Sequence, residues 1–104
     1  MTTFDERESA FENKFAHDSE LQFKAEARRN KLLGLWAAGL MGKTGADAEA
    51  YARDVIRADF QEAGDDDVFR KVRDDLGGKV DDAALRAKMT ELMTAARQQI
   101  LTET

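Results

Sequence analysis

Between Leu32 and Met41 the chain runs through ten residues without a polar side chain, two of them Gly. A membrane span needs about twenty such residues, so this run is read as the interior of a protein. No stretch alternates apolar and polar side chains with period two, and there is no Pro. Ala, Leu, Glu, Lys, Arg and Gln are plentiful, which favours helix throughout. A helix apolar on every side has to be surrounded by others. The run therefore predicts a central post, helical from about Ser19 to Met41, around which everything else packs. Its first half is amphipathic, with Leu21, Ala25, Leu32 and Trp36 near one face. Gly34 and Gly39 cost about 1 kcal/mol each relative to Ala in a helix. The expected compensation is close approach by a neighbouring helix.

The remaining elements follow from caps and spacing. Ser19 with Gln22 is a capping box that starts the post, and Gly42 and Gly45 bracket the turn after it. Thr44 with Asp47 marks the next start, and Ala48, Tyr51, Ala52, Val55, Ile56, Phe60 and Ala63 recur at helical spacing up to Gly64. Asp65 to Asp67 then cap a short helix carrying Val68, Phe69, Val72 and Leu76, which stops at Gly77-Gly78. Asp81 or Asp82 caps the last helix, whose stripe is Leu85, Met89, Leu92, Met93, Ala96 and Ile100. At 104 residues the chain is one domain, large enough to bury a core without staples. The expected fold is all-α: a small antiparallel four-helix bundle over residues 19–104, preceded by a mobile, partly helical N-terminal arm over residues 1–18.

That arm has its own pattern. Thr3 and Glu6 form a capping box, and Asp5, Glu6 and Glu8 sit where a helix N-terminus favours negative charge. On a helix, Phe4, Phe11 and Phe15 fall within an arc of about 40°, while the residues between them are charged or small. Such a helix buries too little to hold itself together in water and needs a surface to lie on. Its own bundle and another protein are both open on this reading. A complete apolar stripe on every bundle helix tips the balance toward a partner, so the arm is expected to be poorly ordered in the free chain.

Chemistry is sparse. The formal charge of −5 argues against a general nucleic-acid binder. With no Cys there is no disulfide framework or thiolate metal site, and the N-terminal residues lack the basic region, apolar run and small-residue cleavage site of a signal peptide. The chain is expected to be soluble, intracellular and monomeric when free. Ala37 to Thr44 satisfies a loose phosphate-loop pattern, but the chemistry requires a strand before the loop. The plain reading is a helix C-terminus with Gly42 in the left-handed cap and Lys43 facing the last carbonyls. The Asp65–Asp67, Asp74–Asp75 and Asp81–Asp82 groups lie at helix ends, where the first and last are caps; Leu76 stands where a calcium loop beginning at Asp65 would need Glu. Lys24, Arg28, Arg29 and Lys31 form a basic patch that is either a solvated face or a docking surface for an acidic partner. No Ser, His and acid arrangement and no paired carboxylates stand out. The chain reads as a non-enzyme without cofactor or metal. A nucleotide- or small-ligand-binding bundle and a structural adaptor remain the alternatives to a regulatory protein.

Residues Phe4-Asp5-Glu6-Arg7-Glu8-Ser9-Ala10-Phe11-Glu12-Asn13-Lys14-Phe15-Ala16-His17-Asp18, followed by Phe23 through Ala38, resemble the zeta-subunit family, the small inhibitor of the F1-ATPase in alphaproteobacteria. Tyr51 to Val72, with Ala58-Asp59-Phe60 and Ala63-Gly64-Asp65-Asp66-Asp67-Val68-Phe69, is similar as well. The resemblance is weaker in the turns at 42–47 and 77–82 and along the last helix. It implies a four-helix bundle whose arm enters the catalytic interface between the alpha and beta subunits, near the gamma shaft, and blocks rotation in the hydrolytic direction. By position it implies Phe4, Arg7, Phe11, Lys14 and Phe15 as the arm's contacts, and a cytoplasmic protein held at the inner face of the membrane when bound. A narrow aromatic stripe with flanking charges suits helix-in-groove docking.

His17, the one histidine, lies at the joint between arm and bundle, where an imidazole titrating near pH 6.5 is either a hinge switch or a solvated side chain. The solvated reading predicts that His17→Ala leaves the pH profile of ATPase inhibition unchanged between pH 6 and pH 8. Diverging profiles would make the joint a pH switch.

Overall fold

The computed structural model describes residues 19–58 and 66–103. Within them the chain forms four helices and no strand: α1 (Ser19–Leu40), α2 (Gly45–Ala58), α3 (Asp66–Leu76) and α4 (Asp82–Glu103). The expected Phe60, Ala63 and Gly64 end of the second helix and the Asp65 cap lie outside the described residues, as does the whole arm. The all-α bundle is as the sequence predicts.

Contacts along the helices fix their directions. Arg28, early in α1, bonds Gln99 and Glu103 at the end of α4, and Leu21 and Ala25 cluster with Ile100. Late in α1, the Trp36 ring lies 5.6 Å from the Lys88 ammonium near the start of α4. Thus α1 and α4 run antiparallel. α1 also packs on α2 and α3, as a central post should.

The main core joins Leu33, Ala37 and Ala38 of α1 to Tyr51 and Val55 of α2, Val68, Phe69, Val72 and Leu76 of α3, and Leu85 and Met89 of α4. The buried row of α1 is Leu21, Ala25, Arg29, Leu33 and Ala37, one residue per turn. This corrects the expected face: Leu32 and Trp36 are only half-buried. Helices press on α1 from two sides, so the row lying between them goes deepest, and its small residues let the neighbours close in. Trp36 lies to one side, where the Lys88 ammonium faces its ring.

The two helical glycines part company. A Cβ built on Gly34 would lie 2.6 Å from the Ala52 Cα, so α2 crosses α1 at a point that only Gly permits. Nothing lies within 4 Å of a Cβ on Gly39. Gly39 and Leu40 are exposed, so the last turn of the post is not surrounded as the apolar run suggested. Of the two candidate caps for α4, Asp81 takes the role: its Oδ1 accepts the Ala84 N–H at 2.7 Å.

A further tie joins α2 to α3. The Tyr51 hydroxyl donates to Asp75 Oδ2 at 2.8 Å, and Lys71 Nζ donates to the same oxygen at 3.0 Å. Burial, and then the neighbouring Asp75 carboxylate, push the Tyr51 phenol well above its ordinary range. It stays protonated and acts as a donor, not as a base.

The glycine contrast gives a paired prediction. Gly34→Ala forces α1 and α2 apart and is expected to destabilise the fold by about 1–3 kcal/mol. Gly39→Ala meets nothing and is expected to stabilise it by about 0.5–1 kcal/mol through helix propensity alone. Urea unfolding of both variants beside the parent measures the difference.

Candidate functional site

The expected arm contacts Phe4, Arg7, Phe11, Lys14 and Phe15, and the joint residue His17, lie outside the described residues. What the structure does describe is the surface next to them, the early part of α1.

Of the expected basic patch, three residues share the outer surface. Lys24 is exposed and pairs with Glu20 at 3.2 Å across one helical turn. Lys31 is exposed. Arg28 is held in a fork, its Nη1 and Nη2 donating to the Glu103 carboxylate at 2.7 and 2.9 Å, with a further bond from Nη1 to Gln99 Oε1 at 2.8 Å. The hydrogen bond from Arg28 holds the Glu103 carboxyl below the ordinary carboxylate range, and the same bond raises Arg28.

Arg29 departs from the expectation. It is buried, with its Nε donating to Asn30 Oδ1 at 2.7 Å, so it does not share the outer surface of Lys24 and Lys31. The cause is its register: it stands four residues after Ala25 and four before Leu33, on the inward row of α1. That spacing was readable in the sequence but was outweighed by its charged neighbours.

Between these cations lies an apolar hollow of about 540 Å³. Phe23, Ala27, Ile56 and Ile100, from three helices, make its apolar lining, and Lys24, Arg28, Lys31 and Glu103 are its charged members. Phe23 is 55% exposed, the most exposed large hydrophobic side chain described. Residue-by-residue reading missed this feature, because it arises only where the end of α4 meets α1 and α2. One signal was present: Phe23 falls off the inward row of its own helix.

The remaining motifs resolve into structure. At the end of α1 the Lys43 N–H donates to Ala38 O at 2.8 Å and the Gly42 N–H to Gly39 O at 3.2 Å, with Gly42 at φ +80°. This is the Schellman closure of a helix. Those N–H groups are spent on carbonyls, so the segment is not the phosphate cradle that its spelling allows. Four members of the acidic groups are engaged by bases: Asp66 with Arg86, Asp67 with Arg70, Asp74 with Arg73, and Asp75 with Lys71. Among the described residues no three His, Cys, Asp or Glu side chains group as metal ligands. No described helix is long and apolar enough to cross a membrane.

Comparison with known proteins adds two likenesses. A family model described as ATPase inhibitor subunit zeta matches residues 1–99. A protein solved by solution NMR is similar at 56% identity with a TM-score of 0.75, over 81% of this chain and 99% of its own. No curated protein matches the chain.

The Arg28–Glu103 fork predicts a pH dependence. A carboxyl whose folded pKa is depressed contributes stability above its unfolded pKa and loses it as pH falls through the folded value. Glu103→Gln should therefore be less stable than the parent at neutral pH. The gap should close as pH drops below the ordinary value of 4.5. Urea midpoints taken from pH 7 to pH 3 check the sign, and a gap that widens on acidification would contradict it.

Proposed function

This chain belongs to the ATPase inhibitor subunit zeta family, and we propose that within that inhibitory role residues 1–18 act on the enzyme while residues 19–104 carry and hold them. The observation that carries this reading is a division within the chain. Among the described residues, both core clusters are drawn from between Leu21 and Leu101, and the family match begins at residue 1 and so includes the aromatic stripe. A core built from these residues supports a reading in which Phe4, Phe11 and Phe15 serve another surface.

The partner is the F1 part of the ATP synthase. The arm enters the alpha/beta catalytic interface beside the gamma subunit and stops rotation in the hydrolytic direction. Phe4, Phe11 and Phe15 supply the apolar anchors of a helix-in-groove contact, and Arg7 and Lys14 flank them. Ordering a segment on binding costs about 2–5 kcal/mol, which favours additional contacts from the bundle. Lys24, Arg28 and Lys31 are the outward cations suited to that contact, and Arg29 is not among them. The reading makes the chain a regulatory, non-catalytic subunit without cofactor, acting in the cytoplasm at the inner face of the membrane.

Added to F1 that lacks its own inhibitor, the full chain is expected to suppress ATP hydrolysis. A chain beginning at Ser19 is expected to leave the rate unchanged. Equal inhibition by both would move the inhibitory contact to the bundle, and no inhibition by either would end the reading for this protein.

A further inference from the structure

The inward row of α1 is interrupted once. Between Ala25 and Leu33 it carries Arg29, which is 1% exposed, and the next residue, Asn30, is fully buried beside it. The Arg29 Nε donates to Asn30 Oδ1 at 2.7 Å, while the buried Asn30 Nδ2 has no hydrogen-bond partner among the described residues. This polar layer divides the apolar interior. On one side, the main cluster takes side chains from all four helices. On the other, Leu21 and Ala25 of α1 meet Ile100 of α4, with Met93 and Leu101 packed against them. Among the described residues that second cluster draws on two helices alone. A hollow of about 330 Å³ lies at the divide, lined by Arg29, by Met89 of the main cluster and by Met93 of the second.

We propose that residues 21–28 of α1 and 96–103 of α4 open together as one unit while the main core stays closed. Two paired helices bury little apolar surface, and helical segments this short are marginal in water once separated. Their order therefore rests on the small cluster. Across the two helices the polar tie is the Arg28 fork to Glu103 and Gln99, and an ion pair this exposed contributes little. The unpartnered Asn30 donor weakens the layer that would otherwise couple one cluster to the other. Regions with few buried contacts open below the global free energy, in contiguous cooperative units.

The main core, closed by α2 and α3, does not need the end cluster to stay assembled. The open form is a minor state, so bulk unfolding remains a single transition. The unit that opens includes the residues joining 1–18 to the bundle, so opening changes how far that join reaches while the main core keeps its shape. This inference concerns the bundle and stands or falls independently of the ATPase reading.

Native-state hydrogen exchange on the full-length chain in low denaturant reads these openings. Amides of residues 25–28 and 97–101 should exchange through one opening with a common denaturant slope. That opening should be at least about tenfold more populated than the one exposing core amides such as Leu33, Val55 and Val72. Ile100→Ala should raise the opening constant of both end segments together, by about 30-fold or more. Leu76→Ala, in the main core, should speed exchange of the core amides and leave the end opening unchanged. Val72→Ala is a smaller deletion in the same core and replaces Leu76→Ala if that variant does not fold. A single opening shared by end and core amides would overturn the proposal. So would end amides that exchange independently of denaturant, or an Ile100→Ala effect confined to α4, since both describe separate fraying of two helix ends.

Discussion

The bundle depends on one close passage. At Gly34 the backbone of α2 comes so near to α1 that a methyl group would meet the Ala52 Cα at 2.6 Å. Close approach lets Leu33, Ala37 and Ala38 reach Tyr51 and Val55 with small side chains. On the outer side, Ile56 of α2 and Ala27 of α1 line the same hollow. From the other side, α4 is held to the start of α1 by the Leu21, Ala25 and Ile100 cluster and by the Arg28–Glu103 fork. Exposed ion pairs contribute little to stability, so that fork acts more to orient the end of α4 than to hold the fold together.

Sequence reading reached the architecture because helix caps and apolar spacing are local. The ten-residue apolar run required a post, and α1 is that post. Gly42 ends it as a left-handed cap, and an Asp of the expected pair starts α4. What it could not reach depends on where neighbours sit. Gly34 and Gly39 have the same composition around them, yet one faces Ala52 and the other faces open space. Leu32 and Trp36 looked equivalent to Leu33 and Ala37 until two flanking helices selected the deeper row. Arg29 was grouped with its charged neighbours, although its register put it inside, against Asn30.

The candidate site was legible in the same uneven way. Lys24, Arg28 and Lys31 came from composition, and the outer position of Lys24 and Lys31 is what a polar helix face provides. The hollow between them was not legible, because it needs three helices in place. The phosphate-loop spelling shows the opposite error: a pattern can be satisfied in letters while its N–H groups are committed to helix carbonyls. Geometry decided there against the motif.

The proposed reading separates the bundle from an aromatic segment that works on the surface of another protein. Its central claim is that the Phe stripe serves function and not folding. The most direct measurement replaces Phe4, Phe11 and Phe15 together by Ser in the full-length chain and follows F1 hydrolysis and urea unfolding on the same sample. The account predicts that inhibition is lost while a single cooperative unfolding transition remains. Undiminished inhibition, or a chain that no longer folds, would contradict it.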